Sequence, residues 1–510
     1  MRASLRHGPP ATRLFSDYLE DWNHVQPFYP ESYSLDSIER FALRRPLLDV
    51  AHRGRLCSIL AEQQSGWGAG LRGVEKLQSG AVAVITGQQP VLFTGPLYSI
   101  LKAITAIKIA AKLEQAGVKA VPVFWVAAED HDFAELESTW VLNRNSELCR
   151  IGVDLSGAEP VPAGWLKFRE DISAAITACL ENLPQSEFIP ELKILLESSY
   201  QPGISPVDAF ARMMARLFAE TELTFVNPLH KGLRTLAEPT IDLAIKRNAE
   251  IRSALMARNK ALSAAGYHEQ VRVDQSFTGL FAYRGMARQA VRPSELEGEI
   301  AWSPNVLLRP LMQDTLFPTA AYIGGPAEVA YFAQAAAVYE TLGQPMPPIF
   351  PRISATLVEP RIAKSAEKYG IELSDVFQGR EHLKKKAVAA TQDGDGFERV
   401  RIRIEEELES LRPLLNSVDA TLIGALDTSR QKVLHQLEGL KGKYVNAVTR
   451  RDETIDRHLD AICNSLFPEK KPQERVINIA SFLARYGSGV LPRLMERLNL
   501  DVQEHQVVAL

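Results

Sequence analysis

The chain has 510 residues, beyond the ~250–300 at which a single hydrophobic core stops growing, and its 46% hydrophobic and 24% charged residues are typical of a folded protein with more than one structural unit. The 58 basic and 62 acidic residues give a formal charge of −4, which argues against sequence-independent nucleic-acid binding, because that binding needs clustered positive charge. No window approaches the ~20 uninterrupted apolar residues of a membrane span, and four distant cysteines without a CxxC pair favour a reducing compartment, so we expect a cytoplasmic protein with no membrane partner.

The first predicted β-α-β unit spans residues 81–127. An apolar, β-branched run at 81–86 predicts a buried strand, and a second run at 121–127 predicts another. Between them, apolar residues at helical spacing predict a helix, with Pro96 in its first turn and Thr94 as its cap. A strand, a helix and a strand in this order imply parallel pairing of the two strands.

The same alternation continues to about residue 351. Further apolar runs at 223–226, 306–308 and 348–351 alternate with helical patterns at 207–220, 233–262 and 326–342. This alternation predicts an α/β fold with a doubly wound parallel core. Two insertions interrupt that core: residues 138–200 contain a short β-like stretch and a helix, and residues 265–302 contain short strands.

Residues 395–466 differ in character, because Lys, Arg, Glu and Leu dominate there. Leu437, Leu440 and Tyr444 follow coiled-coil spacing, and so do apolar residues between 455 and 466. With a bend near 413–420, the pattern predicts an antiparallel helical hairpin, which either packs on its own domain or protrudes as a dimerising arm. We therefore divide the chain into a core of residues 1–394, a coiled-coil hairpin of 395–466 and a segment of 467–510 that returns to the core.

Ligands of open α/β sheets bind beyond the carboxyl ends of the strands, where four polar segments of this chain are expected. The first is a glycine-rich turn that leads into a helix N-terminus, whose free N–H groups favour anions. Its candidate binding residues are Thr86, Gly87, Gln88, Gln89, Gly95, Pro96, Tyr98 and Lys102. The alternative for the turn is a structural role, with its amide side chains hydrogen-bonded within the protein. The alternative for Lys102 is a solvent-exposed lysine.

The second segment, 129–132, places three carboxylates and an imidazole at a strand end. Glu129, Asp130, His131 and Asp132 suit acid–base catalysis, and the carboxylates also suit Mg²⁺. The alternative is a hydrogen-bonded structural cluster. A zinc site is disfavoured, because only one histidine is local and no cysteine accompanies it.

The remaining polar segments follow the later predicted strands. Arg309 suits bidentate recognition of a carboxylate or phosphate, unless it forms an ion pair with Asp314. Residues 324–328 form a second glycine turn into a helix N-terminus and are a second candidate anion site. The candidate binding residues are Asn305, Arg309, Gln313 and Asp314 in the third segment (303–315) and Tyr322, Gly324, Gly325 and Glu328 in the fourth (318–328). Two further segments, 352–354 and 473–475, add Arg352, Ser354 and Arg475.

Seven motifs, in order along nearly the whole chain, resemble those of the bacillithiol-synthesis cysteine-adding enzymes, the BshC family. They are VITGQQP (84–90), TGPLYSILKA (94–103), PVFWVAAEDHD (122–132), NVLLRP (305–310), YIGGPAE (322–328), PRISAT (351–356) and QER (473–475). The resemblance implies a Rossmann-like core related to class I aminoacyl-tRNA synthetases, with connecting insertions and a coiled coil that makes a homodimer. It also implies the last step of bacillithiol synthesis, which joins cysteine to glucosaminyl malate.

The resemblance further implies a mechanism. Kinship with the synthetases implies ATP as a cofactor that activates the cysteine carboxylate, although the HIGH and KMSKS signatures are absent. We expect His131, held by Asp130 or Asp132, to deprotonate the attacking glucosamine amine. Gly87, Gly95 and the helix at Pro96 would hold phosphate or malate carboxylates, helped by Lys102 and Arg309. Arg352 and Arg475 are further candidate anion partners. The alternatives are another nucleotidyl-transferase or amide ligase on the same core, and a non-catalytic coiled-coil scaffold.

Overall fold

The computed structural model describes residues 12–130, 132–155, 161–296, 302–391, 396–451, 453–501 and 504–510. The strands in these ranges are β1 (Val82–Gln88), β2 (Ala120–Val126), β3 (Ser138–Leu142), β4 (Leu148–Gly152), β5 (Thr224–Val226), β6 (Leu280–Arg284), β7 (Ala287–Ala290), β8 (Trp302–Pro304), β9 (Thr319–Gly324), β10 (Ile349–Pro351), β11 (Ala355–Val358) and β12 (Gln506–Ala509). The helices up to the end of the sheet are α1 (Arg13–Glu20), α2 (Trp22–Val25), α3 (Leu35–Arg44), α4 (Val50–Trp67), α5 (Arg72–Gln78), α6 (Tyr98–Gln115), α7 (Phe133–Leu136), α8 (Asp171–Asn182), α9 (Ile189–Ser199), α10 (Pro206–Leu217), α11 (Lys231–Lys246), α12 (Asn248–Ala264), α13 (Arg309–Leu316) and α14 (Pro326–Leu342). The later helices are α15 (Pro360–Lys368), α16 (Leu373–Val376), α17 (Arg380–Thr391), α18 (Gly396–Ser410), α19 (Arg412–Val418), α20 (Leu422–Arg451), α21 (Glu453–Leu466), α22 (Ala480–Tyr486) and α23 (Val490–Arg497).

Five parallel strands form the central sheet, in the order β10-β9-β1-β2-β5. The strands are buried on both faces, as parallel strands are: in β1, Val84 packs into the core on the α6 face and Ile85 into the core on the α14 face. From β1 the chain adds β2 and β5 on one side and then crosses to add β9 and β10 on the other. The predicted doubly wound parallel core is confirmed, and its topological switch lies between β1 and β9.

The insertions form small units of their own beside this sheet. β3 and β4 make an antiparallel hairpin, which is followed by α8 and α9. β6, β7 and β8 make a three-stranded antiparallel sheet between α12 and α13. None of the described helices is long and apolar enough to cross a membrane.

The arm is an antiparallel hairpin in which α17, α18 and α19 pack along α20. The chain reverses around residues 419–421, where the Asp419 side chain accepts the N–H of Thr421 at 2.8 Å. The two runs of predicted coiled-coil spacing, at 437–444 and 455–466, differ in burial. Ile455 and Leu459 of α21 are buried in a core with α15–α17 of the same chain, whereas Leu440 of α20 is 58% exposed.

The C-terminal segment packs on the sheet domain. β12 pairs in parallel with β11, and Ile477 and Phe482 join the core on the α6 face. Asn478 forms a β-bridge with Pro96, immediately before α6. The segment after the arm therefore packs against the N-terminal end of α6.

Two predicted local features are wrong. Residues 306–308 form a turn rather than a strand, because the Asn305 side chain accepts the N–H groups of Leu307 and Leu308 at 3.0 and 3.1 Å, and α13 follows at once. The next strand of the central sheet is β9, which follows α13. The start of α6 is the second: the helix begins only at Tyr98, so Pro96 precedes it rather than lying in its first turn, and Thr94, which has a φ of 71°, does not cap it.

Candidate active site

The carboxyl ends of β1, β2 and β9 open into a cavity of about 620 Å³ at the topological switch. All four polar segments contribute to its wall. The predicted residues that line it are Gly87, Gln88, Gln89, Tyr98, Lys102, Glu129, Asp130, Asn305, Arg309, Tyr322, Gly325, Glu328, Arg352 and Arg475. The structure therefore brings side chains from widely separated parts of the chain to the place where this fold binds ligands.

Lys102 and Glu328 form an ion pair in the wall of the cavity. Their Nζ and Oε2 atoms are 2.5 Å apart, and only 4% and 18% of the two side chains are exposed. Glu328 also accepts the N–H of Gly325, which was predicted to bind an anion, at 2.7 Å. Burial raises the pKa of Glu328, but Lys102 and the Gly325 N–H lower it more, so the group stays ionised. The Glu328 side chain, in the first turn of α14, therefore accepts the N–H that was expected to bind an anion at the second glycine turn.

Arg309 lies deep in the same wall, in the first turn of α13. Its guanidinium donates to the hydroxyls of Tyr331 at 2.7 Å and Tyr322 at 3.3 Å, and to Gln313 Oε1 at 3.3 Å. The alternative ion pair with Asp314 does not form, because the Asp314 carboxylate accepts the Tyr339 hydroxyl at 2.5 Å instead. Within the described part of the chain, Arg309 is hydrogen-bonded only to neutral acceptors.

The predicted carboxylate cluster is divided among different partners. Glu129 is buried and accepts Arg234 at 2.8 Å and the Tyr283 hydroxyl at 3.0 Å, which ties α11 and β6 to the end of β2. Asp130 accepts Gln89 Nε2 at 2.6 Å. Asp132 is exposed and does not line the cavity, and His131 lies outside the described residues.

The predicted magnesium site stays a prediction. No group of three or more His, Cys, Asp or Glu side chains in the described ranges is arranged to hold a metal ion. Arg234 already neutralises Glu129, so that carboxylate is not available as a ligand.

Several predicted residues lie outside this cavity. The Thr86 hydroxyl donates to the Ile323 carbonyl at 3.0 Å and so joins β1 to β9. At the start of α6, the Gly95 carbonyl accepts Asn478 Nδ2 at 2.8 Å and the Leu97 N–H donates to the Ile477 carbonyl at 2.9 Å, so the chain itself satisfies one of the N–H groups of this predicted anion site. Pro96, Gln313, Asp314, Gly324 and Ser354 are also absent from the wall of this cavity.

A second cavity of about 900 Å³ adjoins the first. The two cavities share Tyr98, Glu135, Pro326, Arg352 and Arg475, and Pro96 and Ser354 line the second one. Partial burial, with Asp132 nearby, raises the pKa of Glu135.

The shared wall contains one fixed cation and one exposed cation. Arg352 donates to the buried Glu474 at 2.6 Å, and Ser354 donates to the same carboxylate at 3.0 Å. Arg475 is exposed and has no hydrogen bond or ion pair with another described side chain. Arg475 is therefore the cation at this junction that is available to a ligand.

Some residues of the site were not found from the sequence. Tyr331 follows Glu328 by three positions in α14, and this helical spacing was a signal that could have identified it. Arg288 enters the first cavity from β7, where it donates to Ser303 at 3.0 Å and its guanidinium lies 3.9 Å from the centre of the Phe281 ring. Its position depends on how the insertion folds onto the sheet, and no local pattern reports that.

Comparisons with known proteins cover the whole chain. The family model described as "Bacillithiol biosynthesis BshC, N-terminal Rossmann-like domain" matches residues 1–300 and 296–353, and "Bacillithiol biosynthesis BshC, C-terminal coiled-coil domain" matches residues 355–510. Similar proteins named "Putative cysteine ligase BshC" come from Koribacter versatilis (36% identity), Salinibacter ruber (35%) and Solibacter usitatus (33%). The alignments cover 98%, 97% and 98% of this chain, and 98%, 96% and 98% of those proteins.

The chain therefore belongs to the BshC family of bacillithiol biosynthesis, with a Rossmann-like domain followed by a coiled-coil domain. The resemblance read from the seven motifs is confirmed. The kinship with aminoacyl-tRNA synthetases stays a prediction.

Proposed function

We propose that this member of the BshC family is a ligase that joins cysteine to glucosaminyl malate through an amide bond, at the cavity between β1 and β9. Its relatives are named as cysteine ligases, and the family belongs to bacillithiol biosynthesis. The observation that carries the proposal is Arg309, a partly buried cation at the cavity wall whose acceptors are all neutral in the described part of the chain. Such a guanidinium is suited to the malate carboxylates of the acceptor.

The size of the site supports two substrates at once. The two adjoining cavities of about 620 and 900 Å³ are each in the range of small-molecule sites, and Tyr98 and Arg475 belong to both walls. A condensation needs both reactants held together, because positioning removes much of the entropic cost of a bimolecular step. We place the acceptor next to Arg309 and the cysteine at the junction of the cavities.

We further propose that ATP drives the reaction. The cysteine carboxylate attacks the α-phosphate of ATP and releases pyrophosphate, which gives a cysteinyl adenylate. The glucosamine amine then attacks the carbonyl carbon, loses a proton to a base and expels AMP. His131 remains our proposal for that base, and Mg²⁺ would enter with the phosphates of ATP rather than in a site made by the protein.

The test uses purified protein with ATP, cysteine and glucosaminyl malate, with products identified by mass spectrometry. We expect bacillithiol together with AMP and pyrophosphate. ADP and phosphate in place of AMP would contradict the adenylate, and product formation without ATP would contradict carboxylate activation by ATP. Turnover of other acids or amines but not of these substrates would favour another ligase on the same core.

We also propose that the arm joins two copies of the chain. Apolar side chains on its surface are exposed, and they include Val400, Leu414, Val418 and Leu440. They lie on α18, α19 and α20, the helices of the hairpin whose sequence has coiled-coil spacing. This proposal is independent of the chemistry, and sedimentation measures it directly.

A further inference from the structure

Lys102 uses all its hydrogen-bonding capacity inside the protein. Its Nζ donates to the Gly87 carbonyl at 2.7 Å and to Gln88 Oε1 at 2.9 Å, and it lies 2.5 Å from Glu328 Oε2. An ammonium group has three N–H donors, so these contacts satisfy it fully. Lys102 therefore has no donor left for a ligand in the cavity.

Glu328 connects this pair to Arg309 through a tyrosine. The Tyr322 hydroxyl donates its proton to Glu328 Oε1 at 2.7 Å and accepts Arg309 Nη2 at 3.3 Å. A single hydroxyl group, that of Tyr322, therefore bridges Glu328 and Arg309. Without Lys102, it would be the nearest carboxylate available to neutralise that arginine.

We propose that Lys102 is a positioning residue that neutralises Glu328 and thereby keeps the positive charge of Arg309 available to a carboxylate of the acceptor substrate. The inference rests on the proposed function, because it assumes that Arg309 binds the acceptor. It differs from the sequence-based expectation that Lys102 binds the anion itself.

Charge-neutral variants separate the two roles. Lys102→Met leaves the partly buried carboxylate of Glu328 without its counter-ion, so Glu328 competes with the ligand for Arg309, and we expect malate binding to weaken at least about tenfold. Glu328→Gln removes that competitor and should bind malate at least as tightly as the parent protein. Lys102→Met/Glu328→Gln removes both charges, and we expect its affinity for malate to return to within about threefold of the parent value.

The assay is calorimetric titration of the full-length protein with L-malate, which does not depend on turnover. Lys76→Met is the matched control, because Lys76 also pairs with a glutamate, Glu222, at 2.6 Å but does not line either cavity. We expect this control to bind malate like the parent. If the double variant binds as weakly as Lys102→Met, then Lys102 contacts the anion itself and the inference is overturned.

Two further comparisons keep the outcome clear. If Lys102→Met does not fold, the double variant is compared with Glu328→Gln: equal affinities support the inference, and a tenfold weaker double variant overturns it. Arg309→Ala tests the proposed function separately. Unchanged malate binding in that variant would refute the acceptor site, whereas equal losses in Lys102→Met and the double variant would refute only the role of Lys102.

Discussion

Replacing Arg309 by alanine removes the guanidinium that we place against the acceptor carboxylates, and it leaves the hydroxyls of Tyr322 and Tyr331 without that donor. A hydrogen bond to a charged group contributes about 1.5–3 kcal/mol, which corresponds to about a 10- to 150-fold change in an equilibrium constant. We therefore expect the KM for glucosaminyl malate to rise by about that factor. The KM for cysteine should change much less, because the cysteine lies at the junction of the cavities.

Steady-state kinetics with each substrate varied in turn measure this effect. Arg309→Lys should recover only part of the loss, because an ammonium group lacks the planar fork that holds two tyrosines and a carboxylate together. Arg247→Ala is the control, since Arg247 is half-buried, pairs with the exposed Glu250 and does not line either cavity. Equal changes in both KM values, or no change in either, would refute the assignment of Arg309 to the acceptor.

The remaining predictions concern stability and assembly. Burial raises the pKa of Glu474, but Arg352 lowers it more, so the pKa lies below the ordinary glutamate value. The ionised carboxylate therefore stabilises the fold above the ordinary glutamate pKa, and this stabilisation is lost as the pH falls through the lowered pKa. Melting temperatures of Glu474→Gln between pH 3 and 7 should consequently depend less on pH than those of the parent. Asn478→Ala leaves the carbonyls of residues 93 and 95 unpaired in a buried site, and urea unfolding should show a loss of about 2–5 kcal/mol, whereas a loss below about 1 kcal/mol would contradict this account. Leu440→Glu places a charge on the exposed face of the arm, and sedimentation should change from dimer to monomer, with an unchanged dimer refuting that contact surface.

The parts of the fold that the sequence predicted well are those in which local pattern and burial agree. β1 and β2 are short apolar runs buried on both faces, and the predicted helix at 326–342 has the same bounds as α14. Residues 306–308 are equally apolar, but Asn305 and the proline after Arg309 start a helix there. A short apolar run does not by itself distinguish a strand from a buried turn.

The partners within the site could not be predicted, because they come from distant parts of the chain. Sequence spacing places Lys102 on α6 and Glu328 on α14, but only the crossing of the chain between β1 and β9 brings them within 2.5 Å. Glu129 was assigned to catalysis because it belongs to a cluster of three carboxylates and an imidazole at the end of a strand. Its partner Arg234 lies on α11, and that contact shows that the carboxylate also has a structural role.

The site extends across the boundary between the two family domains. Arg475 and Glu474 follow the coiled-coil hairpin in the chain, yet Arg475 lines both cavities and Glu474 fixes Arg352 in their shared wall. Asn478 closes the turn before α6 through two carbonyls of the Rossmann-like domain. α21 follows the arm in the chain and precedes this segment. A variant of the exposed face of the arm should therefore be assayed for the acceptor KM as well as for its oligomeric state.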